Sequence, residues 1–122
     1  MKKFLLLLVL FTSCSTEKNK SSTDFKTVFE NSGGLETATY QQTIAYYNEL
    51  SDAYPQIHIQ ALGDTDSGHP LHIVILNPDG DFNMVDIRKS KSVLLINNGI
   101  HPGESDGIDA TMMLYRDIVH GK

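Results

Sequence analysis

Residues 93–118, VLLINNGIHPGESDGIDATMMLYRDI, decide how this chain is read. The segment opens with Val93 to Asn97, nearly all apolar, and continuous apolar runs of this length suit a central strand covered on both faces. Ile108, Met112 and Tyr115 in its second half, and Val119 just beyond it, fall at helical spacing, which predicts a helix starting near Ser105. Between the two lies the polar turn within INNGIHPGESDG, residues 96–107, holding His101 and Glu104 three apart. In α/β proteins ligands gather in the crevice at the carboxyl ends of the strands, where this turn would stand. Imidazole nitrogen and carboxylate oxygen are both zinc donors, and a catalytic zinc needs three protein ligands with one open position. A His-x-x-Glu turn supplies two of the three. Pro102 stiffens the loop, and Gly103 permits an unusual backbone angle that lets the side chains converge. Asn97, Asn98 and Asp106 add polar groups able to orient a ligand from behind. Spacing alone leaves a plain alternative, a strand-to-helix turn with Glu104 placed favourably at a helix N-terminus.

Working back from that stretch, LHIVIL (Leu71 to Leu76) reads as a mostly buried strand, and Ile57 to Ala61 alternates as a half-buried one. The turn-rich LGDTDSGHP between them suggests an antiparallel pair. A second loop opens at NPDGD and runs to about Ser92, with Arg88, Lys89 and Lys91 read as solvated. Upstream, Thr39-Tyr40-Gln41-Gln42 has the layout of a capping box. Ile44, Tyr47, Leu50 and Tyr54 follow on one helical face, a core stripe, and Pro55 ends the run. Helix, strand, strand, strand, helix gives an α/β class.

The N-terminus carries a different message. Met1-Lys2-Lys3 is followed by the apolar run Phe4 to Phe11 and the small-residue exit Thr12-Ser13-Cys14, the layout of a secretory signal too short to span a bilayer. Phe11-Thr12-Ser13-Cys14 resembles a bacterial lipoprotein signal, with Phe11 where Leu is commoner. That resemblance implies a signal over 1–13, lipidation of Cys14, and an exported protein anchored to an envelope membrane by its lipid. Cys14 is the sole cysteine, so no disulfide forms within the chain. Residues 14–23 include STEKNKSST and read as a flexible tether. The domain would then occupy 24–122. Without Lys2 and Lys3 the ten basic residues become eight against fifteen acids, a formal −7, with no basic stripe. Nucleic acid is therefore an unsuitable partner.

Three blocks taken in order resemble the N-terminal part of the zinc carboxypeptidase family, the carboxypeptidase A-like metallopeptidases. They are the helix from Thr39-Tyr40 to Tyr54-Pro55, ALGDTDSGHPLHIVIL at 61–76, and VLLINNGIHPGESDGIDATMMLYRDI. The resemblance implies a mixed-sheet, helix-flanked α/β fold, truncated here, with zinc as cofactor and a peptide, such as a cell-wall peptide, as substrate. His101 and Glu104 take the places of the first two zinc ligands. The third ligand, the catalytic Glu and the transition-state arginine would come beyond Lys122, so the expectation is no catalytic residue within this chain and no activity by itself. His69 stands where the family often has Arg. Two other functions share parts of this pattern. One is a zinc deacylase of the aspartoacylase type, in which Gly usually follows the His, where Pro102 stands here. The other is a non-catalytic envelope lipoprotein retaining part of the fold.

The remaining motifs are weak. Gly63 to Gly68 lacks the Gly-Lys-Ser/Thr ending of a phosphate loop. Asp79-Gly80-Asp81 lacks the spaced acids and closing Glu of a calcium loop. His58, His69, His72 and His120 read as surface or packed histidines.

Overall fold

A computed structural model describes residues 24–101 and 103–122. The proposed signal, Cys14 and the tether lie outside the described residues, as does Pro102.

Among the described residues six elements follow in order: α1 (Val28–Asn31), α2 (Tyr40–Ala53), β1 (Ile57–Asp64), β2 (Pro70–Leu76), α3 (Met84–Ser90) and α4 (Asp106–Val119). The two longest helices, α2 and α4, have different starts. Thr39 caps α2 through a full capping box, with Gln42 returning a bond to the cap backbone N–H, as the sequence predicts. Ser105 precedes α4 without a side-chain cap, and Asp106 and Asp109 supply the negative charge that a helix N-terminus favours. The short α1 is also closed by a capping box, Thr27 with Glu30.

β1 and β2 pair antiparallel from Ile57 opposite Leu76 to Asp64 opposite Pro70, with an irregularity between Ala61 and Gly63. The core forms where α2 and α4 meet this hairpin. Tyr46, Tyr47, Leu50, Ile57 and Met112 are buried, and Tyr54, Val74, Ile108 and Tyr115 pack around them. Leu50 is completely buried, which stabilises by about 2 kcal/mol relative to exposure. Two tyrosines of this cluster bond backbone carbonyls through their hydroxyls. Tyr46 Oη lies 3.1 Å from the carbonyls of both Phe25 and Met112, and Tyr115 Oη donates to Val74 O at 3.2 Å. Burial pushes the Tyr46 hydroxyl up to about 12.

Two expectations are corrected. Val93 to Asn97 is not a strand: the described sheet has two strands, and no described residue offers this segment a backbone ladder. Its apolar side chains stand in the open, with Leu94 83 % and Leu95 78 % exposed. A strand needs a hydrogen-bonded neighbour, and apolar content cannot substitute for one. The loop from NPDGD to Ser92 instead contains α3. Asn83 caps it by accepting from Val85 N, Asp86 lies in its first turn and Arg88 and Lys89 in its last, and Ile87 is buried beneath. Arg88, Lys89 and Lys91 are exposed, as the sequence reading has them, and two of them also form ion pairs. Lys89 pairs with Asp86 at 2.7 Å, and Lys91 bonds Asn77 Oδ1 at 2.8 Å and pairs with Asp79. The described chain is a mixture of helices with a small antiparallel sheet, compatible with an α/β class.

Candidate metal-ligand turn

The turn before α4 is built from the glycines outward. Gly99 has φ +62° and Gly103 φ +85°, backbone that L side chains rarely adopt. At Gly99 a Cβ would also meet Ile108 Cδ1 at 2.8 Å, so the chain passes close against the first turn of α4, and a larger residue would make the end of the Ile108 side chain shift. Asn98 fastens it there. Its Nδ2 donates to Thr111 Oγ1 at 2.7 Å, and Thr111 in turn donates to Gly107 O at 2.7 Å. The glycine at 107 leaves the space that the Asn98 amide occupies, since a Cβ there would lie 2.6 Å from Asn98 Oδ1.

With the turn held in this way, Glu104 N donates to His101 O at 3.3 Å, and the two side chains converge. His101 Nδ1 stands 2.9 Å from Glu104 Oε1, and the side chains are 67 % and 57 % exposed. Donor atoms of a tetrahedral zinc, each bound at about 2.05 Å, stand about 3.3 Å apart. The observed separation is shorter and is that of an ordinary hydrogen bond between the two side chains, so the pair matches a zinc site in donor type and not in spacing. The fit stops at two. Among the described residues no group of three His, Cys, Asp or Glu could hold an ion. The other four histidines are engaged elsewhere. His69 stacks on Tyr40 with ring centres 4.7 Å apart, and His72 Nδ1 lies 3.1 Å from Tyr40 Oη. His58 packs on Phe82, and His120 lies against Phe25 and Tyr54.

Comparison with family models, with curated proteins and with solved structures finds no match to this chain. The functional reading therefore rests on its own residues.

Of the supporting residues named from sequence, Asn98 does hold the turn, but through Thr111 rather than through His101 or Glu104. Asp106 begins α4. Two partnerships behind the turn carry little sequence signal. Asp109, buried on α4, accepts from Thr37 Oγ1 at 2.5 Å across 72 residues of sequence. Arg116 is buried with Nη1 2.5 Å from Glu30 Oε2, and its Nε donates to Asp117 Oδ1 at 3.0 Å. Partial burial works to raise the Glu30 carboxyl, but hydrogen bonds from Arg116 and Thr27 and the arginine's charge outweigh it, and its pKa falls below the usual range. The pairs fix α4 against α1 and the loop that follows it, and so fix the base on which the turn sits.

Proposed function

We propose that this chain carries the first two zinc ligands, His101 and Glu104, of a zinc metallocarboxypeptidase-like hydrolase, with a peptide C-terminus as substrate. The observation that carries the reading is the 2.9 Å approach of His101 Nδ1 to Glu104 Oε1 on an exposed turn held by Gly99, Gly103 and the Asn98–Thr111 bond. The resemblance of three sequence blocks to the zinc carboxypeptidases supplies the reaction class. The finer fold assignment, the N-terminal part of a mixed-sheet, helix-flanked carboxypeptidase-like domain, belongs to the same proposal.

His101 offers an imidazole nitrogen and Glu104 a carboxylate oxygen, and the hydrogen bond between them, which a bound ion would replace, holds both near one position. Zinc, when bound, supplies Lewis-acid polarisation of water and of a substrate carbonyl. No described residue is assigned the general base, because no third acidic or imidazole group stands with the pair. The proposal therefore includes no peptidase turnover by this chain alone. Lipidation at Cys14 and an envelope location complete it on sequence grounds.

A non-catalytic envelope lipoprotein is the second reading. It is favoured by the two-donor count, since two ligands hold zinc loosely. Zinc binding by the full chain, compared with His101→Ala and Glu104→Gln, tests the ligand pair. Release of a C-terminal amino acid from a peptide, assayed with zinc present, tests the rest. Turnover by the chain alone contradicts the two-ligand reading, and zinc binding that ignores both substitutions contradicts the pair.

A further inference from the structure

A cavity of about 360 Å³ lies between the loop after α1 and the N-terminal half of α4. It is separate from the His101–Glu104 pair, neither member of which lines it. Phe29, Leu35 and Met113 give it apolar walls, and Glu36, Asp106 and Asp109 give it three carboxylates. None of its lining residues is a lysine, arginine or histidine.

Asp109 sets the chemistry. The residue is only 5 % exposed, and its Oδ2 takes the hydroxyl of Thr37, itself a wall residue, at 2.5 Å. Its Oδ1 is buried and has no hydrogen-bond partner among the described residues. A buried carboxylate oxygen without a donor is costly, more so for a charged group than a neutral one. The missing group is therefore a donor, and a cationic one suits three acids with no base among them. The apolar walls suit an alkyl or aryl body attached to it. The oxygen is closed to bulk water, so a wall must give to admit a donor. The wall assigned to give is the loop side, where Leu35 and Glu36 are exposed and their N–H groups rest on Ser32 Oγ.

We propose that this cavity binds the ammonium group of a small organic amine, with Asp109 Oδ1 accepting from the ammonium and Phe29, Leu35 and Met113 covering its carbon chain. The site is independent of the zinc reading.

The test uses the full ¹⁵N-labelled chain titrated with butylammonium, and with butan-1-ol as the uncharged counterpart of equal length. Saturable amide shifts at Thr37, Asp109, Ala110 and Met113 with butylammonium, at least about tenfold weaker with butan-1-ol, are the expected result. Asp109→Asn weakens butylammonium binding by about tenfold or more, the loss expected for one charged hydrogen bond. Equal response to the alcohol, equal affinity in a folded Asp109→Asn chain, or no saturable shift overturns the proposal. Should Asp109→Asn not fold, the amine–alcohol comparison on the unsubstituted chain decides alone.

Discussion

Asn98 Nδ2 donates to Thr111 Oγ1 at 2.7 Å, and this one bond ties the residue preceding the His101 turn to the second turn of α4. The turn is therefore positioned by the helix behind it rather than by a strand in front of it. That relationship makes the small residues around it testable.

Gly107→Ala should destabilise, although alanine is the better helix former by about 1 kcal/mol. The new Cβ would lie 2.6 Å from Asn98 Oδ1 and drive Asn98 off Thr111. Urea denaturation should show a net loss of about 1 kcal/mol. In an Asn98→Ala background, where the amide is gone, the same substitution should turn neutral or stabilising. Equal effects in both backgrounds would contradict the contact.

Gly99→Ala meets two penalties, a left-handed φ of +62° and a 2.8 Å approach to Ile108 Cδ1. The backbone term alone costs about 1–2 kcal/mol. The expected result is that loss in stability together with weaker zinc binding, because alanine disfavours the left-handed backbone on which the turn is built. Unchanged zinc affinity would separate the ligand pair from the backbone at Gly99.

The Glu30–Arg116 pair predicts an acid-side loss of stability. Glu30 has a lowered pKa in the folded chain, so it binds its proton more weakly there than in the unfolded chain. Its contribution is thus present above the ordinary value of 4.5 and fades as pH falls through the lower folded value. Melting temperatures against pH should show Glu30→Gln clearly below the unsubstituted chain at pH 6 and converging with it towards pH 3. Arg116→Ala, which strands a partly buried carboxylate, should cost on the order of 3 kcal/mol at neutral pH.

These pairings also mark where sequence reading stops. The capped α2, the Ile57–Leu76 hairpin and the start of α4 were legible because caps and periodicity are local signals. Tyr46 lies outside the stripe of Ile44, Tyr47, Leu50 and Tyr54, yet it is buried because its hydroxyl reaches Phe25 and Met112. Thr37 with Asp109 and Glu30 with Arg116 join residues 72 and 86 positions apart, which no local pattern reveals. Val93 to Asn97 misled for the opposite reason: its composition suits a central strand, but pairing is non-local and no described strand lies beside it. The His101–Glu104 approach was legible as spacing, and its support by Gly107 and Thr111 was not.

The exposed run from Val93 to Ile96 should make the chain self-associate. Val93, Leu94, Leu95 and Ile96 are adjacent in the chain and all exposed, Leu94 and Leu95 most of all, so the run offers a contiguous apolar surface. Light scattering should show mass rising with concentration. Leu94→Lys with Leu95→Lys should shift the chain towards monomer without changing its circular dichroism. Association undiminished by the double substitution would place the sticky surface elsewhere.

The most direct test of the central claim is calorimetric titration of the full chain with zinc, run beside His101→Ala and Glu104→Gln with stability measured on each. Both side chains are largely exposed, so solvent screening leaves their mutual pairing worth less than about 1 kcal/mol. The account predicts one weakly held zinc in the unsubstituted chain, loss of that binding in each variant, and folding stability nearly unchanged in both. Zinc binding that survives both substitutions, or its absence from the unsubstituted folded chain, would contradict it.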